Sequence, residues 1–81
     1  MYDKTMTFSL ENDRELDLKN TLTAVYDALL EKGYNPISQI AGYIVSGDPT
    51  YITTHGGARS LMKKIDRFEL LQHLIKFYLS N

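Results

Sequence analysis

The stretch Glu31-Lys32-Gly33-Tyr34-Asn35-Pro36-Ile37-Ser38-Gln39-Ile40-Ala41-Gly42-Tyr43-Ile44-Val45-Ser46-Gly47-Asp48-Pro49-Thr50-Tyr51-Ile52 decides how this chain is read. It holds two matched stop-start signals. Gly33 can take the left-handed conformation that ends a helix, and Asn35-Pro36 can cap and open the next one. Gly47 followed by Asp48-Pro49 repeats the pattern. The spacing predicts a short helix from Pro36 to about Ser46, then a helical turn through Tyr51-Ile52. Gly33, Asn35, Pro36, Gly47, Asp48 and Pro49 are thus structural turn residues. None is a nucleophile, a metal cluster or part of a phosphate loop.

The enclosed segment carries no charged residue. Ile37, Ile40, Ala41 and Ile44 form one apolar face, with Tyr43 and Val45 adding a second, which suits a central helix. Gly42 is unfavourable by about 1 kcal/mol against alanine in a helix interior, so its presence points to close approach of another helix.

Upstream, Leu18, Leu22, Val25, Tyr26 and Leu29 recur at helical spacing. They predict a first helix from near Asp13 or Asp17 to Lys32, with acids at its start to suit the helix dipole. Residues 1–12 alternate Met6, Phe8 and Leu10 with Thr5, Thr7 and Ser9. No second strand is available to pair with them, so they read as a flexible tail. Downstream, Thr53 to Gly57 reads as a loop. Leu61, Met62, Ile65, Phe68, Leu71, Leu74, Ile75 and Tyr78 continue a helical period from about Ala58. Asp66 with Glu69 three residues on has capping-box spacing, which predicts two helices divided near Asp66. The expected fold is all-α: a compact bundle of four or five short helices, with residues 13–81 as a single domain behind the tail.

Eighty-one residues make one domain. A 9.3 kDa chain buries only roughly 63% of its unfolded surface on folding. There is no cysteine to staple it, and 43% of the residues are hydrophobic. Pairing with a second copy is one way to hide that surface, and a homodimer through apolar helix faces, including part of 36–46, is expected. No run of eighteen apolar residues is present and Met1-Tyr2-Asp3-Lys4-Thr5 lacks a signal-peptide core. A cysteine-free chain of this kind suits the cytoplasm, without membrane insertion.

Net charge is −1, with acids concentrated in residues 1–31 and bases in residues 32–81. A near-neutral total argues against nucleic acid as partner. The Gly33 and Gly47 turns do resemble the punctuation of a helix-turn-helix module, which makes a small DNA-binding domain the rival reading. A recognition helix needs bases near its N-terminus, and residues 36–46 have none.

No catalytic constellation is apparent. His55 and His73 are the only histidines, and Glu69 four residues before His73 is the ordinary spacing of a wet helix face. His55 is expected to hydrogen-bond carbonyls within its own turn. No metal, cofactor or enzymatic activity is expected. Arg59, Lys63 and Arg67 fall at i, i+4 and i+8, with Lys64 beside them. On one helix they would line one face, able to dock an anion or an acidic partner.

Ala24-Val25-Tyr26, Glu31 to Pro36, Gln39-Ile40, Gly42-Tyr43, Ser46 to Pro49, Tyr51-Ile52, His55, Ala58-Arg59, Arg67 and Tyr78-Leu79 follow one another across most of the chain. In this combination and order the sequence resembles the IreB family of small regulatory phosphoproteins of Gram-positive bacteria. The resemblance implies a dimeric regulator phosphorylated by a membrane serine/threonine kinase with extracellular PASTA repeats and reset by the cognate phosphatase. It implies control of cell-wall synthesis and of tolerance to cell-wall antibiotics. Proteolysis adaptors, or a protease acting on a peptidoglycan-precursor enzyme, are implied partners. The family's acceptor threonine precedes an apolar-x-aromatic pattern, which Thr5-Met6-Thr7-Phe8 matches, so Thr5 is the implied phosphorylation site and Thr7 the reserve. The chain departs from the family at Thr53-Thr54, where Pro-Arg is usual, and at Lys63-Lys64, where two arginines are usual.

Overall fold

The computed structural model describes the backbone of residues 2–80 and the side chains of residues 13–80. Helix α1 spans Tyr2–Glu31, α2 Pro36–Ser46, α3 Ala58–Lys63 and α4 Arg67–Leu79. Two 3-10 turns, Pro49–Tyr51 and His55–Gly57, join α2 to α3. No strand occurs among the described residues, and the all-α class with four α-helices agrees with expectation.

The assignment of α1 begins upstream of the expected start near Asp13 or Asp17. No glycine or proline stands between Tyr2 and Glu31 to stop a helix. Thirty helical residues extend about 45 Å, and α1 accounts for the long dimension of a molecule measuring 48 × 25 × 21 Å. The expected phosphoacceptor tail, residues 1–12, and with it Thr5 and Thr7, lies outside the residues whose side chains are described.

Both stop-start signals form. At the first, the Tyr34 N–H donates to the Leu29 carbonyl and the Gly33 N–H to Leu30, each at 3.0 Å. With Gly33 at φ 84°, this is a Schellman end. Asn35 caps α2, its side-chain oxygen accepting the Ser38 N–H at 3.1 Å. At the second, the Gly47 N–H donates to the Tyr43 carbonyl at 2.7 Å with φ 76°, a single-bond left-handed cap. Asp48 then accepts both the Thr50 N–H (3.0 Å) and its hydroxyl (2.7 Å). The predicted break at Asp66 is present: its carboxylate accepts the N–H groups of Phe68 (2.9 Å) and Glu69 (3.4 Å). Only this half of the capping box appears, because Glu69 is drawn toward Arg14 of α1.

The core is Val25, Ala28 and Leu29 of α1, Ile40 and Tyr43 of α2, Ile52, Ala58 and Met62 around α3, and Leu70 of α4. Fully burying a side chain such as Leu29, Met62 or Leu70 stabilises by about 1.5–3 kcal/mol. Two expected faces shift. In α2, Pro36, Ile40 and Tyr43 are buried while Ile37 is exposed, since a helix apolar all round can bury only one side in so small a unit. In α4, Leu70 points inward and Phe68 and Leu71 outward. Phe68, Leu71, Ile75 and Tyr78 share one side of α4 and Leu70 lies on another, and helical spacing alone does not choose between them.

Candidate functional site

Gly42 lies against the 3-10 turn that follows its own helix, instead of another helix. A Cβ there would stand 2.5 Å from Cε1 of Tyr51, so glycine is what allows that ring to lie on α2. Gln39 completes the contact, its amide donating to the Tyr51 carbonyl at 2.9 Å.

The end of α2 leaves one carbonyl over. Gly47 bonds Tyr43, and the Asp48 N–H turns to the Ser46 hydroxyl at 3.0 Å. Ile44 therefore lacks the partner that a Schellman end would supply. Arg67 provides it, donating from Nη1 to the Ile44 carbonyl at 2.9 Å. Arg67 is the first residue of α4, a poor place for a cation on that helix's own dipole. Its charge serves the C-terminal end of α2, which has no basic residue in its last turn. A Cβ on Gly47 would come within 2.7 Å of the guanidinium carbon.

Arg59 is held in a similar way. Its Nε donates to the Ile52 carbonyl at 2.8 Å, partly buried. Its charge, behind the larger effects of the Thr50 N–H and hydroxyl, helps keep the Asp48 carboxyl below its ordinary pKa. The break at Asp66 separates Arg67 from the helix of Arg59 and Lys63, so the i, i+4, i+8 alignment of one helix does not apply. Lys63 and Lys64 are exposed. Each arginine keeps further N–H groups for another acceptor.

Both histidines bridge to α1, a role that lone residues could not announce in the sequence. His55 meets a carboxylate of α1 and not a carbonyl of its own turn, with Nε2 2.6 Å from Glu31 Oε1. His73 lies 3.9 Å from Glu15 and 4.0 Å from Glu69. Arg14 of α1 pairs with Glu69 at 2.8 Å. These ties are largely exposed and each contributes little. Among the described residues, no group of three histidine, aspartate or glutamate side chains is placed to hold a metal. No described helix is long and apolar enough to cross a membrane.

Large apolar side chains remain on the surface. Ile37 (67% exposed) and Val45 (85%) lie eight residues apart on α2 with the exposed Ala41 between them. Phe68, Leu71, Ile75 and Tyr78 form an outward stripe on α4.

The family model of the IreB regulatory phosphoprotein matches residues 3–80. A UPF0297 protein of Ruminiclostridium cellulolyticum is 52% identical over 79 residues, covering 98% of this chain and 90% of the relative. The match runs through nearly the whole chain: the chain belongs to the IreB family of regulatory phosphoproteins.

Proposed function

We propose that this protein is a non-enzymatic cytoplasmic regulator switched by phosphorylation at Thr5, with Thr7 as a second acceptor. A PASTA-type serine/threonine kinase adds the phosphate and its cognate phosphatase removes it. The output is control of cell-wall synthesis and of antibiotic tolerance through protein contacts, including those with proteolysis adaptors or a protease acting on a peptidoglycan-precursor enzyme. The observation that carries this reading is the family match, which begins at residue 3 and so takes in Thr5-Met6-Thr7-Phe8.

A phosphate adds about −1.5 to −2 charges, beside Asp3 and Glu11. The added charge spoils an acidic-segment contact with a partner and leaves the packed core unchanged. Docking on Arg59, Lys63, Lys64 and Arg67 is the less favoured route, since Arg59 and Arg67 already serve backbone carbonyls. The working unit is a homodimer. Ile37 and Val45 of α2 supply exposed apolar surface for it.

A pull-down comparing the unmodified protein with its Thr5-phosphorylated form tests the switch. Partners retained by one form and lost from the other are expected, and identical partner sets would refute it. Sedimentation tests the dimer: a fully helical monomer at tens of micromolar or above, roughly the concentration that reveals a micromolar affinity, would rule it out.

A further inference from the structure

A groove runs between α1 and α4. Leu16, Leu18 and Leu22 form one wall, and Leu70, Leu74 and Phe77 the other. Leu70 is its buried floor, while Leu16 (56%) and Phe77 (79%) remain largely exposed. Lys19 and Lys76 also line it. Neither has a carboxylate partner among the described residues. Of the carboxylates beside it, Glu69 is paired with Arg14 at 2.8 Å, while Glu15 lines the groove 3.9 Å from His73.

We propose that this groove docks an amphipathic helix of a partner protein, with apolar anchors at i, i+3 or i+4, and i+7 and acidic residues flanking them. This names the class of partner for the regulator above and rests on that reading.

Length sets the occupant. Leu16 to Leu22 rises about 9 Å and Leu70 to Phe77 about 10.5 Å, two helical turns, which three such anchors span. Charge sets the flank. Two ammonium groups with no carboxylate partner among the described residues, beside an apolar floor, favour carboxylates and disfavour a basic helix. This chain's own α4 carries Arg67 and Lys76 against a single carboxylate, Glu69, so a second copy's α4 lacks the acidic flanks that the groove's lysines favour.

The test is a titration of the full chain, followed by methyl and aromatic NMR. The probe is a synthetic amphipathic helix of about 18 residues, five turns, with leucine anchors flanked by glutamates; its control replaces the glutamates with lysines. Signals of Leu16, Leu74 and Phe77 should shift with the acidic probe, and the lysine control should bind at least about tenfold more weakly. Lys19→Glu/Lys76→Glu, at two exposed positions, should keep its helicity and reverse the preference between the probes. Phe77→Ala should weaken both. Equal affinities for the two probes, or no shift at the groove, would overturn the proposal. So would concentration-dependent broadening of those three residues without any probe, which would assign the groove to a second copy. Phosphate mapping on the same protein reports separately on the regulator reading, so phosphorylated Thr5 with an unresponsive groove would remove this proposal alone.

Discussion

The two ends that bound α2 use the same vocabulary and do different work. Gly33-Tyr34-Asn35-Pro36 and Gly47-Asp48-Pro49 each stop one helix and start another. At Gly33 the backbone closes on itself with two bonds, and a Cβ there would meet nothing within 4 Å. At Gly47 the backbone closes with one bond, and Arg67 from α4 completes the end. The first junction is local, whereas the second is tertiary. A turn that satisfies its own carbonyls needs only the right residues nearby. One that leaves a carbonyl over ties its geometry to a side chain twenty-three residues away, and so couples the end of α2 to the start of α4.

The strongest way to break the comparison is valine at each glycine. Gly33→Val pays only the strain of a β-branched residue at positive φ, about 1–2 kcal/mol. Gly47→Val adds displacement of Arg67 and loss of a charge-assisted hydrogen bond, for about 2–4 kcal/mol in total. Urea unfolding of both variants measures the difference, and equal losses would show that the second junction is as local as the first. A cycle sharpens the point. In an Arg67→Ala background, the penalty of Gly47→Val should fall to that of Gly33→Val, a coupling of about 1–2 kcal/mol.

A smaller effect concerns the far side of the second junction. Propensity alone says that Gly42→Ala stabilises α2 by about 1 kcal/mol. The Tyr51 ring in the way predicts the opposite sign. The sign should revert in a Tyr51→Ala background, as thermal melts of the two single variants and the double variant would show.

The smallest effect is electrostatic. The Asp48 carboxyl is held below its ordinary value of 3.8, first by the Thr50 N–H, then by the Thr50 hydroxyl, then by Arg59. A group whose folded pKa is depressed stabilises fully above its unfolded pKa, and that contribution fades as pH falls through the folded value. Acid unfolding below about pH 4 should be slightly steeper in the native protein than in Asp48→Asn. Superimposable acid limbs would remove Asp48 from the account.

What could be read beforehand follows the same division. The boundaries of α2, the turn after Asp48 and the cap at Asp66 are local signals, and the sequence carries each within four residues. The tertiary half was hidden. Nothing near Arg67 names Ile44 as its acceptor, nothing near Gly42 names Tyr51, and the pairing of His55 with Glu31 joins residues twenty-four positions apart. On α4, Phe68, Leu71, Ile75 and Tyr78 fit a helical stripe as well as Leu70, Leu74 and Phe77 do, and spacing alone does not say which stripe meets the core; the structure buries Leu70. The basic face requires Arg59, Lys63 and Arg67 to share one helix, which the break at Asp66 prevents. Family membership was carried by words scattered over the whole chain, so it could be read without any of these contacts.

The most direct test of the regulator reading is site mapping after reaction with the cognate kinase. The protein is phosphorylated, digested and sequenced by mass spectrometry, and its amide spectrum is recorded before and after. The account predicts phosphate on Thr5 first and Thr7 second, with core amides around Leu29, Met62 and Leu70 unmoved. Exclusive modification of Thr7, Thr53 or Thr54, or no modification at all, would contradict it.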